Sequence, residues 1–219
     1  MAETGYSSVG GRAVVSEVYR AHHRDEHTEE AQAVALGRTF VLALATGELS
    51  LVAWYRINDL PTTEAVIGDD NNRHLGVRRA DGAGKPALVT FTLLTRWFQQ
   101  PYRVVKPVTH GLPASASPVK VHAFALHDGR QIIAAWLGTP ATPPTDDEAT
   151  NPAAVLPPDM RHASIHVSLP KTRVSAVNVI DAVGKPVSLE RFTWRNVHGM
   201  VELDLSLRGS ELLFCELQP

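Results

Sequence analysis

The hydrophobic periodicity of this chain changes once, close to Pro101, and that change constrains the fold more than any other feature of the sequence. After Pro101 apolar residues alternate with polar ones, as in residues 164–169 and 201–207. A period of two is typical of β-strands that bury one face and leave the other in solvent. The second part of the chain is therefore predicted to be an antiparallel β-sandwich of roughly eight strands.

Local signals place individual elements within this predicted sandwich. The sequence His127-Asp-Gly-Arg130 separates the apolar runs 119–126 and 131–137. An Asp-Gly pair between two such runs predicts a β-hairpin. Residues 138–161 contain six prolines and are expected to form an extended loop. Further strands are expected near residues 103–108, 174–180, 186–192 and 211–217.

Before Pro101 the pattern is that of helices around one strand. Residues 28–46 are predicted to form a helix, because Thr28 is a good N-cap and Gly47 a good stop. A second helix is expected to begin at Lys85-Pro86, since proline is favoured at the first helical position. Residues 50–56 form an apolar run without alternation, which predicts a parallel strand buried on both faces.

Composition excludes several classes of partner. The chain has 219 residues, of which 44% are hydrophobic, enough for a substantial core. Lys and Arg total 21 against 23 Asp and Glu, so no basic field exists that would hold nucleic acid or an anionic membrane. The longest apolar helical run, residues 40–45, is far shorter than the roughly 20 residues that span a bilayer. We therefore expect a soluble globular protein.

The termini and the cysteine content say little about the compartment. Met1 is followed by polar residues, so we expect no secretory signal in this chain, and a cytoplasmic and a secreted parent both stay open. Cys215 is the only cysteine, which excludes an intrachain disulfide and a cysteine-based metal cage. Because it lies in an apolar run, we expect a buried thiol in a strand.

The histidines of the chain fit no standard motif. Residues 22–27, His-His-Arg-Asp-Glu-His, are dense in metal-binding side chains, but their spacing matches no common zinc site. Asp25 and Glu26 are also explained by the favourable interaction of acidic side chains with a helix start. The histidines after Pro101, His166 among them, fall at solvent-facing or turn positions and are assigned no chemistry. No metal is predicted.

The order of these features resembles the C-terminal part of a clan A glycoside hydrolase. The features are Trp54-Tyr55 at the end of a strand, Gly76 in the following loop, and Lys85-Pro86 at the start of the last helix before the sandwich. The resemblance implies an α/β plus all-β fold. Residues 1–101 would form the end of a (β/α)8 barrel, and residues 102–219 a β-sandwich accessory domain.

The same resemblance implies roles for individual residues in a retaining hydrolysis of O-glycosidic bonds. The opening segment MAETGY falls on barrel strand seven, where Glu3 matches the nucleophile. Trp54 or Tyr55 would provide an aromatic platform for a sugar, and Asp59 and His74 would contact its hydroxyl groups. The acid/base residue belongs to a strand that this chain does not contain. No cofactor is implied, because the chemistry needs only two carboxyl groups and water.

Each role has a structural alternative. Glu3 is also explained as a solvated terminal charge, Trp54 and Tyr55 as core residues, and the polar residues 59–74 as an ordinary loop. A second functional hypothesis is a non-catalytic carbohydrate-binding or assembly module that uses Trp136 or Trp194.

The strand at residues 50–56 also predicts a partner. An unpaired apolar strand edge favours association with another chain. We therefore expect that self-association or a missing barrel segment covers residues 1–101.

Overall fold

The computed structural model describes residues 2–8, 27–49, 51–66, 70–110, 119–138, 159–170 and 174–219. These residues form mostly antiparallel sheet together with two α-helices. The helices are α1 (Glu29–Thr46) and α2 (Pro86–Phe98). The strands are β1 (Ala2–Thr4), β2 (Val52–Trp54), β3 (Tyr102–Val105), β4 (Val108–His110), β5 (Val119–Leu126), β6 (Gln131–Leu137), β7 (His162–Pro170), β8 (Ala176–Asp181), β9 (Phe192–Val197), β10 (Met200–Arg208) and β11 (Leu213–Gln218).

Both predicted helices are confirmed, together with their end signals. The Thr28 hydroxyl accepts a hydrogen bond from the main-chain N–H of Ala31 at 3.1 Å, and Gly47 ends α1 in the left-handed conformation with φ of 68°. This conformation is available to glycine without the steric cost that a Cβ brings. Pro86 occupies the first position of α2. Local signals therefore set both ends of α1 and the start of α2.

Two antiparallel sheets enclose one apolar core. One has the strand order β3-β5-β6-β11-β8 and the other the order β4-β7-β10-β9. Alternate residues of both sheets point into the space between them, which confirms the predicted period of two. The hairpin of β5 and β6 is also confirmed. Contributions from β7 and β10 to this core are Ala163, Ile165, Val167, Leu169, Val201, Leu203, Leu205 and Leu207.

The second face of the five-stranded sheet is covered by the two helices. One apolar cluster lies between this face and the helices. It contains Phe124, Trp136 and Phe214 of the sheet, Leu36 of α1 and Trp97 of α2. Every residue of β6 is consequently buried, which explains why its sequence QIIAAWL does not alternate. Cys215 is buried in β11 as expected, and burial raises the pKa of its thiol to about 12.

The strand predicted at residues 50–56 is shorter and less buried than expected. Only Val52–Trp54 pairs, in a parallel register with β1 that places Ala53 beside Glu3. The prediction of burial on both faces is wrong for the described residues: all three positions of β2 are half-buried, and Leu51 and Tyr55 beside them are exposed. The reason is that β2 has a single neighbouring strand in the described part of the chain.

Two other strand predictions also differ from the structure. The segment 103–108 divides into β3 and β4, which join different sheets, because Pro107 between them has no N–H for a ladder. The strand predicted at 186–192 is replaced by a short helical turn, Leu189–Arg191, which Ser188 caps before β9 begins. Most of the proline-rich segment 138–161 lies outside the described residues. Neither described helix is long and apolar enough to cross a membrane.

Candidate functional site

The carboxyl ends of β1 and β2 lie side by side. The main-chain N–H of Tyr55 donates to the carbonyl of Thr4 at 2.8 Å, which extends the parallel pairing to the end of both strands. The chain that follows β1, residues 5–8, and the long loop between β2 and α2 therefore start at the same edge. Parallel strands place their connecting loops at one edge, and polar residues of both loops meet there.

A buried ion pair lies within the loop between β2 and α2, and its lysine also contacts residues 5–8. The Lys85 ammonium lies 2.7 Å from Oδ1 of Asp59, and the two side chains are 1% and 8% exposed. Lys85 also donates to the hydroxyl of Ser8 at 2.9 Å and to the carbonyl of His74 at 3.3 Å. The three N–H donors of the ammonium group therefore all have acceptors, which is the condition for burying such a charge.

The Asp59 carboxylate is held from a second direction by Gly76. The main-chain N–H of Gly76 donates to Oδ1 of Asp59 at 2.9 Å. A Cβ atom at Gly76 would lie 2.2 Å from the Asp59 nitrogen and 2.4 Å from the Asn58 carbonyl carbon. Only glycine permits this close approach of two backbone segments. The imidazole Nδ1 of His74 lies 3.8 Å from Oδ2 of the same carboxylate.

Helix α1 contributes Gln32 to the same cluster. Its side chain is fully buried, and Nε2 donates to the carbonyls of Tyr6 and His74 at 2.8 and 3.2 Å. The Tyr6 ring in turn stacks on His27, with centroids 5.4 Å apart. Side chains from the starts of α1 and α2 thus fix the segment that follows β1. We refer to Ser8, Gln32, Asp59, His74 and Lys85 as the polar clamp.

The two predicted aromatic residues have different surroundings. The indole N–H of Trp54 donates to the carbonyl of Leu75 at 3.1 Å, and the ring packs against the apolar cluster under the helices. Tyr55 is 46% exposed, and the guanidinium of Arg56 lies 5.6 Å from its ring centroid. The peptide bond between Tyr55 and Arg56 is cis. Of the two rings, Tyr55 is the one open to a ligand.

The structure brings Asp59 and His74 together and places Glu3 in the adjoining strand. The side chain of Glu3 lies outside the described part of the chain. Residues 22–26 of the histidine-rich segment also lie outside it, and the described residues hold no group of three His, Cys, Asp or Glu side chains arranged for a metal ion.

The structure adds two residues to the site, Lys85 and Gln32, that the sequence does not predict there. The sequence predicts Lys85 only as the residue that precedes a helix. Its carboxylate partner is 26 positions away, and Gln32 contacts a carbonyl 42 positions away. The sequence does contain one signal for Lys85. A positive side chain directly before the first residue of a helix is unfavourable, because the N-terminus of a helix favours negative charge. The lysine at this position therefore indicates a partner elsewhere in the fold.

Three similar solved structures are glycoside hydrolases, all at low similarity to this chain. No protein-family model matches the chain, and no curated protein matches it. Two similar solved structures have TM-scores of 0.49: the catalytic domain of GH30 xylanase C from Talaromyces cellulolyticus and the GH51 arabinofuranosidase from Xanthomonas axonopodis pv. citri. The first is 16% identical and the match covers 99% of this chain; the second is 13% identical with 85% covered.

A third similar structure is the catalytic module of a family 98 glycoside hydrolase from Streptococcus pneumoniae TIGR4, with 9% identity, a TM-score of 0.26 and 57% of this chain covered. The chain spans 40%, 35% and 31% of the lengths of these three structures.

Proposed function

We propose that this chain is the C-terminal part of a clan A-like retaining glycoside hydrolase. Residues 1–101 form the end of a (β/α)8 barrel, and residues 102–219 form a β-sandwich accessory domain. The observation that carries the proposal is the parallel pairing of β1 with β2 across α1, followed by α2. Neighbouring parallel strands, each followed by a helix, are the repeating unit of such a barrel.

Glu3 is the proposed nucleophile. It lies in β1 beside Ala53 of β2, one residue before its strand ends. Catalytic side chains of (β/α)8 enzymes come from the carboxyl ends of strands, and the polar clamp lies at this same edge. In the retaining mechanism this carboxylate attacks the anomeric carbon and forms a glycosyl intermediate, which water then hydrolyses.

The proposed sugar site contains four side chains that differ in their access to a ligand: Tyr55, Trp54, His74 and Asp59. The exposure of the Tyr55 ring favours it over Trp54 as the platform for the apolar face of a sugar. His74 is half-exposed and available to a sugar hydroxyl, whereas Asp59 is nearly closed off by Lys85 and Gly76. Asp59 then acts on the sugar by orienting His74.

The second carboxyl group is proposed to come from outside this chain. A retaining site needs an acid/base about 5 Å from the nucleophile, and the described part of residues 1–101 contains only two parallel strands. Leu51 and Ile57 are exposed around β2, which supports a covering partner. That partner is either a barrel segment of a longer protein or a second copy of this chain. A chain without it is a fragment or remnant of the enzyme.

The deciding experiment compares the chain with its Glu3→Gln variant on a panel of dinitrophenyl glycosides. Dinitrophenolate leaves without protonation, so the first step does not require the missing acid. We expect a covalent glycosyl adduct on Glu3 by intact-mass analysis, and a loss of release rate of about a thousandfold or more in Glu3→Gln. Glu64→Gln is the matched control, because Glu64 is an exposed carboxylate in the loop that follows β2.

Equal release by the chain and by Glu3→Gln would retire the catalytic role. Sedimentation of the chain alone tests the covering partner separately. An oligomer that dissociates when Ile57 is changed to Asp supports a second copy, because Ile57 is 68% exposed beside β2. A monomer at all concentrations leaves only the missing barrel segment.

The alternative of a carbohydrate-binding or assembly module depends on the aromatics of the two sheets. Trp136 is buried and stacks on His122, so it is closed to a glycan. Trp194 packs partly against the core at the edge strand β9, beside the exposed pair of Arg195 and Glu202. Glycan binding that is lost in Trp194→Ala and kept in Glu3→Gln would favour this alternative.

A further inference from the structure

The solvent-facing side of the four-stranded sheet carries a line of three hydrogen-bonded side chains. The Ser168 hydroxyl lies 3.2 Å from Nε2 of His166, and Nδ1 of His166 lies 2.9 Å from Oδ1 of Asp204. The two ring nitrogens therefore have different partners. When Nδ1–H donates to the carboxylate, Nε2 is left as an acceptor for the hydroxyl.

Strand register builds this line. Ile165, Val167 and Leu169 point into the core, so the residues between them on β7 share the outer face. His166 stands directly opposite Asp204 on β10. The Asp204 carboxylate is held from its other side by the Thr193 hydroxyl of β9, at 3.3 Å. Three strands thus position one serine, one imidazole and one carboxylate.

Electrostatics keep Asp204 ionised. The hydrogen bond from His166 is the largest cause that lowers the pKa of this carboxyl group below its ordinary value. Among the described residues, the other titratable or charged groups near His166 in the sheet register are His110 on β4, whose ring centroid is 6.0 Å away, and Glu202 and Arg195, which pair with each other at 2.6 Å. A negative partner on Nδ1 stabilises the imidazolium that forms when Nε2 takes up a proton.

We propose that Ser168 is a nucleophile activated by His166 as general base and oriented through Asp204, and that it is acylated by small carboxylic esters. The relation of the three side chains is the one that acyl-transfer sites require: a nucleophile hydrogen-bonded to a base whose second nitrogen is held by a carboxylate. This site is independent of the proposed glycosidase site on β1 and β2.

The proposed reaction consumes an ester and water and forms an alcohol and a carboxylic acid. Ser168 Oγ attacks the acyl carbon while its proton passes to Nε2 of His166, and the bond from the acyl carbon to the leaving oxygen breaks. His166 returns the proton to the leaving alkoxide, which departs as the alcohol. A water molecule then attacks the acyl-serine, gives its proton to His166 and releases the acid, and the serine recovers its proton.

Two features limit the substrate and the rate. Ser168 is 8% exposed, so only a small acyl group such as acetyl reaches its oxygen. The β7 backbone at Ser168 is paired on both sides, with Val108 of β4 and Glu202 of β10. Its N–H groups are therefore committed and do not form an oxyanion hole. We expect acylation by an activated ester, followed by slow release.

The test uses p-nitrophenyl acetate and peptide mapping by mass spectrometry. We expect one acetyl group on Ser168, no such adduct in Ser168→Ala, acylation about a hundredfold slower in His166→Gln, and a smaller loss in Asp204→Asn. Ser164 is the matched internal control, since it lies on the same strand and face, is more exposed than Ser168 and belongs to no such line.

Labelling of Ser164 as fast as Ser168 would overturn the proposal, because exposure alone would then explain the reaction. Absence of any adduct on Ser168, or an unchanged rate in His166→Gln, would also overturn it. Asp204 is 61% exposed, so the Asp204→Asn variant is expected to fold. It therefore provides a second test if the His166→Gln variant does not fold. An unchanged acylation rate in Asp204→Asn removes the orienting role and with it the proposal.

Discussion

The two sheets and the β1–β2 region are stabilised by different physics. The sheets enclose an apolar core, and the five-stranded one is also covered by the helices. The β1–β2 pair has only three residues per strand, half-buried along β2, with apolar side chains exposed around it. Its loops are held by the polar clamp instead.

This difference determines how each region should respond to substitution. Apolar burial is non-directional and tolerates moderate change, whereas a buried ion pair is stable only while both partners and all donors are satisfied. The β1–β2 region has an organised polar interior beside a strand edge that no described strand covers, and the barrel proposed above would need a further strand there.

The largest expected loss of stability comes from a substitution in the polar clamp. Asp59→Asn leaves the Lys85 ammonium buried without its negative partner, and we expect a loss of about 3–5 kcal/mol in the free energy of unfolding. Urea unfolding measures it. The double variant Asp59→Asn/Lys85→Met removes both charges and is expected to recover a large part of the loss. A loss below about 1 kcal/mol in Asp59→Asn would contradict the clamp as the main support of this region.

A core substitution tests the other region. Leu203 is fully buried between the sheets, so Leu203→Ala is expected to cost about 2–5 kcal/mol through lost burial and a cavity. Ile57→Ala, at the exposed edge beside β2, is the control and is expected to change stability by at most about 0.5 kcal/mol. A large cost at Ile57 would mean that the edge is already covered, by a second copy in the sample.

The close approach at Gly76 predicts a smaller effect. Gly76→Ala forces the Asn58–Asp59 backbone away from the clamp, at an expected cost of about 1–3 kcal/mol. Gly84→Ala is the matched control, because its Cβ would meet only the flexible end of Leu88 at 3.1 Å. Thermal unfolding of both variants decides whether backbone packing or loop flexibility dominates here. Equal melting temperatures would contradict the packing argument.

The smallest expected change in stability comes from a substitution in the turn between β5 and β6, and it depends on pH. The hydrogen bond from Arg130 is the largest cause that holds the pKa of Asp128 well below its usual range. A lowered folded-state pKa contributes stability above the unfolded value of about 3.9, and this stability is lost as the pH falls further. Asp128→Asn should therefore flatten the acid side of the stability curve, measured from pH 7 to 2. The exposed Glu190→Gln serves as the control and should leave the curve unchanged.

Features that depend on neighbours in the chain could be predicted from the sequence. The caps at Thr28 and Gly47, the proline that opens α2 and the Asp-Gly turn act over a few residues, and the structure confirms each of them. The strand predicted at 186–192 failed because Ser188 caps a short helical turn, a local signal that competes with the apolar pattern.

Features that depend on distant contacts could not be predicted. Alternation places His166, Ser168 and Asp204 on solvent-facing sides, but it does not give the register that sets His166 opposite Asp204. The same holds for Lys85 and Asp59, which are 26 positions apart and meet only when the long connection between β2 and α2 folds back on itself. The roles proposed for Glu3, Tyr55 and His74 stay predictions until the variants are measured.

The sequence by itself determined both helices and most of the strands, because hydrophobic period and capping act through the local geometry of helices and strands. It also determined which residues of β7 and β10 face the core. Only the tertiary structure decided that β6 is buried on both faces, that β2 pairs with a single strand among the described residues, and which polar side chains meet. The physical reason is that layers and registers are chosen by the total burial of the folded chain, which no short segment encodes.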